Sequence, residues 1–148
     1  MKNNNLKLYS LKKEDTDFEK IKITNSKDCA DYIKQFYSDD IEIYESCFIL
    51  LLNRANYTIG YAKISQGGVA GTIVDVKIIA KYVIDSLACA VILAHNHPTG
   101  NLKASSADLA ITDKVIKTLY CMDTKLLDHI ILTKDSYLSL SDEGSINN

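Results

Sequence analysis

The 148-residue chain has no tryptophan, one proline and three histidines. No run of about 18 apolar residues occurs, so nothing reads as a bilayer-spanning helix. Met1 to Asn5 is polar and lacks the apolar core of a secretory signal. An excess of one charge is also missing. The 17 basic and 19 acidic residues leave a formal charge of −2, unlike the basic surfaces that coat nucleic acid, although a local basic patch stays open. The four cysteines, at 29, 47, 89 and 121, form no Cys-x-x-Cys pair. They read as scattered buried thiols of a cytoplasmic protein rather than disulfide partners. The nine tyrosines form no ladder with basic residues, which leaves a stacking platform for single strands without support. There is no repeat, low-complexity block or linker. Length and a hydrophobic fraction of 47% therefore fit one domain with a real core.

Taken in order, residues 1–20 form a polar N-terminal segment in which Leu6 to Tyr9 alternates weakly. A domain over 21–144 follows, then a frayed tail at 145–148, with fraying expected to begin near Asp142. Ile21 to Ile23 is a second short alternation. A helix is expected from Asn25 or Ser26, with Cys29, Tyr32, Ile33, Phe36 and Tyr37 on its apolar face, ending by Ser38 to Asp40. Phe48 to Leu52 is a continuous apolar run that reads as a strand covered on both faces. Asn53 to Asn56 is a turn, and Tyr57 to Ser65 returns as the second arm of a hairpin. Gln66-Gly67-Gly68 marks a break, followed by an apolar stretch from Val69 to Val74. Asp75 is placed to cap a helix whose Val76, Ile79, Ala80, Val83, Ile84 and Leu87 keep helical spacing. Ala88 to Ala94 reads as a buried strand. A helix from Ser105 presents Leu109, Val115 or Ile116, Leu119 and Met122. Strands at Leu126 to Leu132 and Tyr137 to Leu140 close the chain. This order predicts an α/β core with helices packed on a sheet.

The chemistry gathers at His95-Asn96-His97-Pro98-Thr99-Gly100, with Ser105 and Asp108 beyond it. Alternate side chains of an extended backbone share a side, so both imidazoles can face one point. Pro98 cannot continue a ladder and Gly100 permits a sharp bend, which ends the strand there. Asp108 then falls in the first turn of the next helix. Two imidazoles and a carboxylate suit zinc, with the fourth position left to water as in catalytic sites. Such an ion lowers the pKa of water to about 7, and hydrolysis then needs a further carboxylate to move the proton. The plainer reading of Ser105-x-x-Asp108 is a helix-capping pair in which Asp108 only offsets the dipole, and the two roles are compatible. His129 reads as a hydrogen-bonded core histidine, with a place behind the metal ligands as the alternative. Neither a His-x-Glu with Pro-Cys-x-x-Cys nor a His-Glu-x-x-His occurs, which removes zinc deaminases and thermolysin-type proteases.

The stretch from His95 to Asp108 resembles the His-x-His-Pro-x-Gly-x4-Ser-x2-Asp signature of JAB/MPN (JAMM) metalloproteins. His-Asn-His-Pro, Leu127 to Ile131, Leu50 to Asn56, and Gly67 to Thr72 resemble the RadC branch in particular, over about 21–144. The resemblance implies a cytidine-deaminase-like α/β fold, a mixed β-sheet flanked by helices. It implies zinc held by His95, His97 and Asp108, and Ser105 assisting the tetrahedral intermediate of amide hydrolysis. Glu45 matches the family's acid–base glutamate best, Glu42 is the runner-up, and for either the plainer reading is a surface glutamate. The implied activity is that of a metallopeptidase or isopeptidase. The alternative is a non-catalytic or DNA-repair-associated accessory module that keeps the fold and the metal. Asn96 and Thr99 are expected to shape the loop. Ala104 departs from the family's usual proline. Complete RadC proteins resemble fusions with an N-terminal helix-hairpin-helix, for which this chain has no room, so DNA binding is not carried over. Substrate and oligomeric state are not legible.

Overall fold

The computed structural model describes residues 5–8, 12–67 and 73–147. Among the described residues, five strands form one sheet in the order β2-β1-β3-β4-β5. They are β1 (Ser46–Leu52), β2 (Thr58–Gln66), β3 (Ala90–Asn96), β4 (Lys125–Leu132) and β5 (Tyr137–Ser139). β1 and β2 form the expected hairpin, β1 pairs antiparallel with β3, and β4 with β5. Only β3 and β4 run parallel, because a helix connects them and reverses the chain's direction between them. The strands of the Phe48 run and of β3 are buried at every position, as two covered faces require.

Helix α1 (Ser26–Lys34) covers one face, and α2 (Val76–Ser86) and α3 (Ser106–Tyr120) cover the other. The side chains of the central strands sort by twos. Ile49, Leu51, Val91 and Leu93 join Ile79, Val83, Val115 and Leu119 on the α2/α3 side. Leu50, Leu52, Ile92 and Ala94 join Cys29, Ala30 and Ile33 on the α1 side. α1 starts where Asn25 accepts the Asp28 N–H at 2.8 Å, and α2 where Asp75 accepts the Lys77 N–H at 2.8 Å, as capping predicts. A 3₁₀ turn at Asp39–Glu42 leads into β1.

β4 counts irregularly. Val91 pairs with Leu126 but Ile92 pairs with Asp128, so Leu127 is an extra, bulged residue. Past the bulge Asp128 lies on the α1 side, and His129 turns to the α3 side opposite Leu93.

Several expectations need correction. Leu109 is exposed, and the buried face of α3 is Thr112, Val115 and Leu119. In α2 the buried stripe is only Ile79 and Val83, while Ile84 and Leu87 face outward. Both helices lie on a sheet already filled by its own side chains, so the stripe they bury is narrow. Cys29 and Cys47 are buried, but Cys89 is half-buried and Cys121 exposed; all four are free thiols. Leu6 to Leu8 forms no strand, whereas Lys22 bridges Tyr57 at the start of β2. Residues 142–144, expected to fray, wind through hydrogen-bonded turns, and Ile146 packs against the core. Gly68 to Thr72 and Tyr9 lie outside the described residues. Among the described residues no helix is long and apolar enough to cross a membrane.

Candidate metal centre

Alternation along β3 decides the site. Val91 and Leu93 face α3, so His95 does too, while Asn96 faces away. Pairing continues one residue past the strand, since the His97 N–H donates to the Leu132 carbonyl at 2.9 Å. His97 therefore keeps the parity of His95. The chain then turns at Pro98. Gly100 adopts φ of 84°, a conformation that costs glycine little, and returns its N–H to the His97 carbonyl at 3.0 Å. Ser105 caps α3, accepting the Asp108 N–H at 3.0 Å, and Asp108 Oδ2 accepts the Ser105 N–H at 2.8 Å. The capping pair is present, and the same carboxylate reaches the imidazoles.

His95 Nε2 lies 3.1 Å from Asp108 Oδ1, and His97 Nε2 lies 3.2 Å from Asp108 Oδ2. The two Nε2 atoms are 3.0 Å apart. Glu45, just before β1, places Oε1 at 3.7 Å from His95 Nε2. One ligand atom from each of these four residues lies within 4.8 Å of the others, a group that could hold a metal ion. Glu42 points elsewhere and pairs with Lys134 at 3.5 Å. The cluster opens into a cavity of 240 Å³ lined by Glu45, Cys47, Leu93, His95, Asp108 and Ile111, among others.

The electrostatics follow from these contacts. Burial pushes the Asp108 carboxyl up, but its contacts with the rings of His95 and His97 and the hydrogen bond from the Ser105 N–H outweigh it and hold its pKa well below the usual range. The bond to Asp108 raises His97, against burial. Burial lowers His129 to about 3 and lifts the Cys47 thiol to about 12, so both stay neutral. The His97 Nδ1 proton is committed to the Asn101 carbonyl at 2.7 Å, so Nε2 is the nitrogen that faces Asp108, holding a proton in the charged ring and a lone pair in the neutral one. The two Nε2 atoms and the carboxylates of Asp108 and Glu45 are thus gathered at one point, where they could hold a metal ion.

Three residues matter more than sequence reasoning alone showed. Asn96, fully buried, accepts the Ser46 N–H at 2.8 Å and donates to the carbonyls of Ile41 at 2.7 Å and Tyr44 at 2.8 Å. It thereby fastens the backbone on both sides of Glu45 to the strand that carries His95. Its expected role in shaping the loop is replaced by this clamp, because parity turns its amide to the opposite face. His129 meets His95 Nδ1 at 2.7 Å, and Thr112 meets His129 Nδ1 at 2.6 Å. A polar residue at a core-facing position of α3 was the available signal for Thr112.

A mixed sheet with a His-x-His strand end, backed by an aspartate in the next helix, defines a class of α/β domain built around a cluster able to hold a metal. The chain belongs to the RadC-like JAB domain family, whose sequence profile matches residues 23–145. It is 42% identical over 123 residues to a UPF0758 protein of Flavobacterium johnsoniae, covering 83% of this chain and 53% of that protein. It is 38% identical over 130 residues to one of Coprothermobacter proteolyticus, covering 86% and 55%. For one of Porphyromonas gingivalis the figures are 37% over 123 residues, covering 82% and 53%. The chain spans about half the length of the curated relatives it matches. The mixed sheet with its three helices is the architecture that the resemblance implies.

Proposed function

We propose that this domain is a zinc-dependent hydrolase of amide bonds, of peptide or isopeptide type. One observation carries the reading: His95 Nε2, His97 Nε2 and the Asp108 carboxylate converge within 3.0 to 3.2 Å of one another, with Glu45 alongside. Donors about 2 Å from a tetrahedral ion sit about 3.3 Å apart, so the spacing fits zinc. The donor set fits as well, being two imidazoles that turn Nε2 to one point and one carboxylate. His95, His97 and Asp108 would hold the ion. When bound, zinc supplies a Lewis acid that polarises a carbonyl and acidifies water near neutral pH.

The chain's own groups do the rest. Glu45 takes the proton from the attacking water and passes it to the leaving amine. The Ser105 hydroxyl accepts the Asp108 N–H, and among the described residues its own proton has no acceptor. That proton is available to an oxyanion developing beside the ion. The Asn96 clamp keeps Glu45 in register with His95.

Metal analysis of wild type and His97→Ala tests the first half, with about one zinc per chain expected in wild type and little in the variant. Equal zinc in both would overturn the metal site. A pool of peptides and lysine-linked isopeptides, read by mass spectrometry, tests the second. Cleavage by wild type, lost in a zinc-replete Glu45→Gln variant, is the expected result. No cleavage by wild type, or undiminished cleavage by Glu45→Gln, would overturn hydrolysis and leave the accessory-module reading.

A further inference from the structure

The proton positions behind His95 can be assigned from the far end inward. The Thr112 hydroxyl has one proton, and it lies 2.7 Å from the Asp108 backbone carbonyl, a group that can only accept. Toward His129 Nδ1, 2.6 Å away, that hydroxyl must then act as acceptor, so Nδ1 carries the proton. The His129 ring is sealed from water and, among the described residues, its nitrogens meet only His95 and Thr112, with no carboxylate in contact to balance a charge, so it holds one proton and Nε2 is bare. Across 2.7 Å, His95 Nδ1 must donate to it. Reversing any one link would set two protons or two lone pairs face to face. The chain of donors therefore ends with a proton on His95 Nδ1 and a lone pair on His95 Nε2, which points at Asp108 and His97.

We propose that Thr112 and His129 are positioning residues for the metal centre, fixing the tautomer and ring orientation of His95 so that Nε2 is offered to the ion. The inference rests on the metal-centre reading and adds to it the machinery behind one ligand. His97 is held differently, by the backbone carbonyl of Asn101, which no substitution removes. His95 is the ligand whose orientation depends on replaceable side chains. The line also returns to the other side of the site, because the carbonyl receiving the Thr112 proton belongs to Asp108. Both inner members are nearly sealed from water, His129 at 1% exposure and Thr112 at 2%, so no solvent molecule can substitute for either.

The test uses the full chain with zinc alone as probe. Zinc affinity is measured by competition with a chromogenic chelator for wild type, Thr112→Val, Thr112→Ser and His129→Phe. Thr112→Val, isosteric but without the hydroxyl, should bind about 10-fold to 100-fold more weakly, as should His129→Phe. Thr112→Ser, which keeps the oxygen, should recover most of the loss. Wild-type affinity in a folded Thr112→Val variant would overturn the proposal. Independently, nitrogen-15 NMR of histidine-labelled metal-free wild type should show His129 protonated on Nδ1 and bare on Nε2. The reverse tautomer would overturn the proposal without any variant. Should wild type take up no zinc while these tautomers are found, the metal reading fails and the assignment of protons stands.

Discussion

The sheet carries a cavity on each face, and the two are built from similar residues. On the α1 side a cavity of 280 Å³ is lined by Asn25, Ser26, Cys29, Asp128 and Asp142, among others. On the α3 side lies the smaller one, with Glu45, His95 and Asp108. In the first, acids meet donors. Asp128 accepts the Ser139 hydroxyl at 2.6 Å and the N–H groups of His129 at 2.7 Å and Ser141 at 3.0 Å, and Asp142 accepts the Ser26 hydroxyl. In the second, acids meet imidazole nitrogens. Burial raises the Asp128 pKa even against its hydrogen bonds, whereas the histidines depress that of Asp108. Neither volume nor the number of acids separates the two sites. The kind of partner does: one set of acids is met by hydroxyl and backbone donors, and the other belongs to a group that could hold a metal ion.

The largest expected effect tests that contrast directly. Asp108→Asn should weaken zinc binding by at least about 100-fold, while Asp128→Asn should leave it unchanged in the same chelator competition. Equal losses would erase the distinction between the faces. Next, Asn96→Ala should lower the stability of the metal-free protein by about 2 kcal/mol in urea denaturation, because it strands buried backbone groups. An unchanged midpoint would mean that Glu45 is held by other contacts.

The third effect is a pH dependence with a definite sign. His97, raised by Asp108, stabilises the metal-free fold below its unfolded pKa of about 6.5, and that contribution is lost as pH rises through the raised folded value. Asp108, depressed, contributes above its unfolded pKa of about 3.9 and loses it only as pH falls toward the depressed value. The cluster thus supports the metal-free protein between about pH 4 and the raised His97 pKa. On the proposed metal reading, zinc takes the place of the His97 proton. Its stabilising effect should shrink by about 1.4 kcal/mol per pH unit below that pKa, so melting with and without zinc should differ more at pH 8 than at pH 5.5. A zinc effect independent of pH would show that His97 does not give up a proton to the ion. The smallest effect belongs to the other face. Ser26→Ala, on an exposed rim, should cost about 0.5 kcal/mol or less and should not change zinc binding. A larger cost would show that the α1-side cavity is more strained than its complete bonding suggests.

Much of this was legible in the chain itself. The spacing of His95, His97 and Asp108 implied convergence, because alternation in a strand and a helix start after Gly100 are local rules. The hairpin, the caps at Asn25, Asp75 and Ser105, and the buried runs of β1 and β3 followed for the same reason. What escaped depends on neighbours distant in sequence. Whether Asn96 shapes its own loop or holds residues near Glu45 is decided by the β1–β3 register. Whether Leu109 or Thr112 faces the core depends on how α3 rolls against the sheet, which periodicity alone leaves open by about one residue. That Glu45 rather than Glu42 lies beside His95 turned on a 3₁₀ turn that carries Glu42 toward Lys134.

The bulge at Leu127 has an electrical consequence. Counting regularly by twos from Leu126 would aim Asp128 at His95 and send His129 to the far side. The extra residue exchanges them, so an uncharged ring instead of an anion backs His95. The formal charges of Glu45 and Asp108 then sum to −2, the amount one divalent ion neutralises. One inserted residue in a strand thus keeps a third anion away from a cluster whose two carboxylates already match the charge of one divalent ion.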